Sequence, residues 1–205
     1  MKDFFRKVAD LLFASFLWFF VSLFGLLLTT GAATTAMFKV SFQVLKKDEP
    51  TNVLKVFFKS FKTSFGESSA IWFIILAIAS TIFFLLRYSF LNNEMILIII
   101  GLSSAFELIL FTIYVFPIIS MFESENLIML IRNTFLISHR NLWLNIRLIG
   151  SLSLIILLVF TISSFFIILI GLVYAILVAF HLRPYFNQIK DKIIEEQQLS
   201  KEMIT

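Results

Sequence analysis

The length of its apolar runs constrains this sequence most. Five stretches of mostly apolar residues are each about long enough to cross the roughly 30 Å hydrocarbon core of a bilayer as an α-helix. Hydrophobic residues make up 60% of the 205 residues and charged residues only 15%. In a soluble domain about 45–50% of the residues are hydrophobic and about 25% are charged. A soluble globule of this size could not bury so much apolar surface. The sequence therefore predicts an all-α, polytopic transmembrane helix bundle that forms one domain, residues 1–205.

The expected spans lie at about residues 11–30, 70–86, 95–119, 143–160 and 163–182. The last two come from one nearly unbroken apolar stretch, 142–180, which is about twice the length of a single span and must fold back on itself. We place that turn near residues 161–164. Residues 187–205 are polar and are expected to form a solvated tail.

The distribution of Lys and Arg predicts the orientation, because cytoplasmic loops of membrane proteins carry an excess of both. With five spans, one side holds the basic loops 31–69 and 120–142, the start of the fourth span and the C-terminus. That side carries 13 basic residues against four on the other. We therefore expect a multi-pass plasma-membrane protein with these loops in the cytoplasm, and no nucleic-acid partner. In the alternative topology, residues 11–45 form a hairpin with Gly31 at its tip. The cytoplasmic side then carries 16 basic residues and the other side one.

The segment between the first two spans contains an amphipathic, basic stretch, residues 51–65. Phenylalanines fall on one helical face and lysines on the opposite face. The residues expected to form this surface or partner-binding helix are Lys55, Phe57, Phe58, Lys59, Phe61, Lys62 and Phe65. A helix of this kind lies flat on a membrane or docks in a groove of a partner protein; the other interpretation is an interfacial helix that packs only on the bundle of its own chain. We predict one or two such helices on the cytoplasmic face.

Glu107 is the one carboxylate deep inside an expected span. A charge at the bilayer centre costs at least about 2.5–3.5 kcal/mol, so an acidic residue there is a functional-site hypothesis. Ser103 and Ser104 share its helical face, and Tyr174 in the last span is its expected hydrogen-bond partner. Two interpretations stay open: a protonated carboxyl that bridges helices, or a group that binds substrate or carries a proton.

Small residues and histidines complete the set of candidates. Gly171, Ala175 and Ala179 form a stripe of small residues, which allows close helix packing within the chain or against another subunit. His139 and His181 lack the spacing of metal ligands and are expected to be structural or solvated. The sequence has no cysteine and none of the familiar catalytic motifs. We therefore expect no metal, no cofactor and no enzymatic activity.

Five short segments carry a family resemblance: TGAATTAM at 30–37, FFKSFKTSF at 57–65, YVFPII at 114–119, RNTFL at 132–136 and NLW at 141–143. In this order they resemble the YesL-like family, small bacterial membrane proteins that are defined as a domain of unknown function. Its members are commonly encoded beside carbohydrate ABC importers and polysaccharide-degrading enzymes. The resemblance implies a non-enzymatic accessory protein, a partner or regulatory subunit of the permease subunits of such an importer. The alternative is a small stand-alone transporter or channel with Glu107 in its pathway.

Overall fold

The computed structural model describes residues 2–25, 28–46, 52–122, 126–162 and 173–188, and these residues contain helices and no strand. The helices are α1 (Lys2–Phe24), α2 (Thr30–Lys46), α3 (Val53–Leu91), α4 (Met95–Met121), α5 (Leu127–Arg140), α6 (Leu142–Ile162) and α7 (173–188). The predicted all-α class is confirmed. Among the described residues, three helices, α1, α3 and α4, are long and apolar enough to cross a membrane. This finding supports a membrane protein, but the count of five spans is not confirmed.

The first two helices form a hairpin. The chain reverses between Phe24 and Thr30, and the Trp18 indole Nε1 donates a hydrogen bond of 2.9 Å to Thr34 Oγ1 across the pair. The Thr29 hydroxyl closes the turn by donating to the Val21 carbonyl at 2.8 Å. This is the hairpin of the alternative topology, except that the reversal precedes Gly31.

The segment predicted as the beginning of a cytoplasmic loop, residues 31–69, is helical wherever the structure describes it, apart from the cap residue at 52. Twelve of the 17 residues of α2 are buried, so α2 lies at the centre of the bundle. Its first half is made of small residues, and the hydroxyl groups of Thr35 and Ser68 are hydrogen-bonded at 2.8 Å between α2 and α3. Gly31 sits directly against the Ser68 carbonyl. Small residues allow this close approach of the two helices. Residues 31–46 therefore form a packed helix, and the prediction that they belong to a loop is wrong.

The third helix is uninterrupted, so the predicted surface helix 51–65 and the predicted span 70–86 belong to one element. Asn52 caps its start by accepting a hydrogen bond from the Lys55 amide at 3.1 Å. Gly66 lies between the two parts. One glycine inside a helix costs only about 1 kcal/mol, and the contacts that α3 makes with α2 offset this cost. With 39 residues and about 1.5 Å per residue, α3 is about 58 Å long, nearly twice the thickness of a hydrocarbon core.

The fourth helix returns along α3. Asn93 makes the tight turn with φ 55°, a conformation that asparagine tolerates better than most residues. The rings of Trp72 and Phe116 lie 6.2 Å apart, and Gly101 lies against Leu86. Beyond Trp72 this helix pair projects past α2 and carries many exposed apolar side chains, among them Phe83, Phe84, Phe90, Ile96, Ile99 and Phe106.

The remaining helices complete the bundle around α2 and α4. α5 packs on α4 through the rings of Phe135 and Phe111, 5.2 Å apart. α7 packs on α2 through Tyr174 and Phe38, 5.4 Å apart, and Arg183 Nη1 donates to the Leu45 carbonyl at 2.6 Å. α6 contributes Leu144 and Leu148 to the core.

Part of the predicted C-terminal region lies outside the described residues. This applies to residues 163–172, which include Gly171 and half of the predicted turn at 161–164, and to the tail from 189 onwards. The two described members of the small-residue stripe, Ala175 and Ala179, are both buried in the core of the chain.

Candidate functional site

An open cleft of about 650 Å³ lies between α3, α4 and α5. Its lining is mostly aliphatic and aromatic, with a polar strip contributed by α3 and α4. The lining includes Ile74, Ile78, Thr81, Ile82 and Leu85 from α3, Ser103, Ser104, Glu107, Leu108 and Phe111 from α4, and Ile131 and Phe135 from α5. Ser103, Ser104 and Glu107 therefore share one surface, as their spacing on α4 predicts.

Glu107, in the lining of this cleft, pairs with His139 of α5. Glu107 Oε2 lies 3.0 Å from His139 Nε2, and both side chains are about half exposed. The other ring nitrogen, Nδ1, lies 3.0 Å from the Phe135 carbonyl and 3.1 Å from the Ser138 hydroxyl. Acceptors at both nitrogens favour the doubly protonated ring. The Phe135 carbonyl, and then the Glu107 carboxylate, hold the pKa of His139 above its usual value.

Tyr174, the partner predicted for Glu107, lies elsewhere. Its ring packs edge-on against Phe38 of α2, so the structure does not place it beside Glu107, and the expected pairing is wrong. The sequence interpretation missed His139 because it treated the segment after residue 120 as a connection. One signal was present: Glu107 and Phe111 are four residues apart, as are Phe135 and His139. Two antiparallel helices that pair the phenylalanines therefore also pair the charged residues.

A buried amide holds the end of α5 in place. Asn145 of α6 is 4% exposed; its Oδ1 accepts a hydrogen bond of 2.6 Å from the Tyr114 hydroxyl. Its Nδ2 donates one of 2.6 Å to the Ser138 carbonyl. Because Ser138 precedes His139, this network joins α4, α5 and α6 and positions the imidazole over Glu107.

The basic, Phe-rich part of α3 divides between core and surface. Phe57 is fully buried and Phe61 partly buried, whereas Phe58 and Phe65 are 49% and 42% exposed. Lys55, Lys59 and Lys62 are all exposed. This Phe-rich face therefore packs partly on the bundle of the chain itself, with Phe57 turned towards the core, and leaves Phe58 and Phe65 partly open.

Comparison with known proteins bears on these elements. Residues 11–86, which cover most of α1, all of α2 and most of α3, match the family described as "Protein of unknown function, DUF624". A relative in Bacillus subtilis (strain 168), the uncharacterized protein YesL, is 28% identical over 124 residues. The resemblance to the YesL-like family is thereby confirmed. The aligned part covers 60% of this chain and 59% of that relative. No solved structure matches the chain.

Proposed function

We propose that this protein is a non-enzymatic, multi-pass membrane accessory protein that binds a transmembrane helix of a partner in the cleft between α3, α4 and α5. The observation that carries the proposal is the shape and lining of the cleft. On α3 it is lined by Ile74, Ile78, Thr81 and Leu85, which are spaced four, three and four residues apart. Side chains with this spacing form the seam against which a second helix packs.

The chemistry of the cleft also suits a protein helix. In lipid, helices associate through close packing and through hydrogen bonds between polar side chains, because apolar surface alone gives no preference for protein over lipid tails. Ser103, Ser104 and Glu107 supply such polar groups beside the apolar seam. As partner we propose the permease subunits of a carbohydrate ABC importer. Support for this choice comes from the resemblance to the YesL-like family.

For the membrane topology we propose that α3, α4 and the predicted spans 143–160 and 163–182 cross the bilayer. The charge-free part of α3, Ser68 to Leu86, is about 28 Å long at about 1.5 Å per residue and so matches the hydrocarbon core. The tip of the α1–α2 hairpin reaches only the start of this part, since Gly31 contacts Ser68. We therefore propose that both ends of the α1–α2 hairpin lie on the cytoplasmic side and that the hairpin does not cross the bilayer. Arg87 is then the one basic residue outside. The five-span topology, with α1 as a span, is the alternative.

Single cysteines can test the cleft, because the chain contains none. A photoactivatable thiol reagent is attached at Ile78→Cys, in the cleft, or at Phe84→Cys, exposed on the same helix but outside the cleft lining. Both variants are expressed with the subunits of a carbohydrate ABC importer from the same organism. We expect cross-links to a permease subunit from position 78 and few from position 84. Equal cross-linking from both positions, or cross-links to lipid alone while the importer stays intact, would count against the proposal.

A second candidate function is favoured by one observation. Both side chains of the Glu107–His139 pair are about half exposed, and Glu107 lines the cleft, so the pair can exchange a proton with a solute bound there. A small stand-alone transporter would use such a pair for coupling. Proteoliposomes that contain only this chain test the idea: proton-coupled sugar flux that disappears in Glu107→Gln supports transport. No flux from protein that retains its native thermal transition refutes it.

A further inference from the structure

The first part of α3 lies beyond the membrane in the topology proposed above, and this position changes what its exposed side chains can contact. Leu54 and Phe58 precede Ser68, where the charge-free run begins, by about 21 Å and about 15 Å along the helix at about 1.5 Å per residue. The headgroup layer on each side is only about 5–8 Å thick. Since α3 continues into its apolar half without a break, this part cannot lie flat on the bilayer while the other half crosses it.

Three exposed apolar residues of this part, Leu54, Phe58 and Phe65, form a helix-pairing seam together with the partly buried Phe61. Leu54, Phe58, Phe61 and Phe65 are spaced four, three and four residues apart, the spacing of a and d positions in a coiled coil. Leu54 is 46% exposed. Phe58 and Phe65 are 49% and 42% exposed, so a large part of each ring is open to a partner.

The aromatic residues of the seam are held rigidly from inside. Phe57 is buried, and its ring stacks on Phe61 with centroids 6.4 Å apart and 9° between the planes. Phe61 in turn meets Phe65 edge-on at 5.4 Å. A surface whose side chains are already ordered loses little conformational entropy when a partner binds. This arrangement is typical of a preformed binding surface.

Charge identifies the kind of helix that fits. In the heptad defined by the seam, Lys55 and Lys62 occupy e positions, which face the flanking residues of a paired helix. Neither forms an ion pair with any described residue of the chain, and Lys59 next to them is also unpaired. Acidic residues in the flanking positions of a partner would complement them.

We infer that Leu54, Phe58, Phe61 and Phe65, flanked by Lys55 and Lys62, bind an amphipathic protein α-helix outside the membrane whose apolar seam is bordered by Asp or Glu. The seam covers three turns, so the partner segment is short, about 12 residues. This inference uses the proposed topology but not the cleft or the identity of its partner. An anionic membrane surface is the competing occupant.

Peptide binding to the full chain in neutral phosphatidylcholine nanodiscs tests the inference. The probes are two fluorescent three-heptad peptides with Leu at a and d, one with Glu and one with Lys at e and g. We expect the acidic peptide to bind, more weakly at high salt. Lys55→Glu with Lys62→Glu should weaken it about tenfold and allow the basic peptide to bind. Binding of the basic peptide shows that this variant is folded. Lys59→Glu, outside the seam, is the matched control with a small effect.

Thiol accessibility separates the two occupants. Phe58→Cys in nanodiscs that contain anionic phosphatidylglycerol should react with an impermeant maleimide as fast as Lys59→Cys, and Phe84→Cys in the apolar half of α3 should not react. Protection of position 58 to the level of position 84 would overturn the inference, because lipid would then cover the seam. Failure of both peptides to bind the unmodified chain would overturn it as well. Cross-linking from the cleft is unaffected by either result, so the two proposals fail separately.

Discussion

Gly31 provides the sharpest test of the fold, because the α2–α3 contact depends on its missing side chain. A Cβ built there lies 2.5 Å from the Ser68 carbonyl oxygen and 2.7 Å from Trp72 Cβ. Ordinary contact begins at 3.4 Å, so Gly31→Ala forces the two helices apart by about 0.9 Å at the backbone. A carbonyl oxygen inside a helix cannot swing aside as the end of a side chain can.

The expected magnitude follows from two opposing effects. Overpacking of a well-packed core costs about 1–3 kcal/mol, and replacing a helical glycine by alanine recovers at most about 0.5–1 kcal/mol. The net loss in the free energy of unfolding is therefore between zero and about 2.5 kcal/mol, with a central value of about 1 kcal/mol. For a chain of this length, a loss of about 1 kcal/mol lowers the melting temperature by about 2–4 °C.

Gly66 is the matched control. It lies inside the same helix pair, in α3, and a Cβ there meets nothing within 4 Å. Gly66→Ala should raise the melting temperature by about 1–4 °C through helix propensity alone. Intrinsic-fluorescence melting of both variants in mild detergent measures the difference. If Gly31→Ala is as stable as Gly66→Ala, then α2 does not pack against α3 at this distance, and the central position of α2 is refuted.

Three further predictions concern the site and the topology. Tyr114→Phe removes a buried hydrogen bond to α6 and should cost about 1–2 kcal/mol in melting experiments. The raised pKa of His139 means that its contribution to stability is complete below about pH 6.5 and is lost as pH rises through the raised value. Melting between pH 5.5 and 8.5 should show this loss, and Glu107→Gln should reduce it. In intact cells, Asn92→Cys should react with an impermeant maleimide, and Thr63→Cys only after permeabilisation.

The helices were easier to predict from the sequence than their packing. The apolar runs indicate α3, α4 and α6, because a long run without charge has few alternatives to a helix in lipid. α2 was predicted only in the alternative hairpin topology, because it is enclosed by protein and not by lipid. Its polar residues suggest a loop, yet Lys39 Nζ donates to the Ser120 carbonyl at 2.7 Å, and Thr35 finds Ser68. Hydropathy reports contact with lipid and cannot identify a helix whose polar groups are satisfied inside a bundle.

The candidate site, like the fold, could be predicted only in part from the sequence. Glu107 stands out in the sequence because an isolated charge in an apolar run is costly and rare. Its partner does not stand out, because His139 comes near Glu107 only after α5 folds back onto α4. That fold depends on Asn145, whose amide bonds to two other helices and whose role no local pattern indicates. Long-range contacts made by single polar side chains are the information that one sequence lacks.

The two proposed binding surfaces lie on opposite faces of α3, and this limits how a partner can use them. Leu54, Phe58, Phe61 and Phe65 form one seam, and Ile74, Ile78, Thr81 and Leu85 repeat its spacing 20 residues later. Twenty residues correspond to about five and a half turns at about 3.6 residues per turn, so the second seam faces away from the first. The two are also about 30 Å apart along the axis. One straight partner helix therefore cannot occupy both. If both are used, a transmembrane helix fills the cleft and a separate acidic helix outside the membrane covers the aromatic seam.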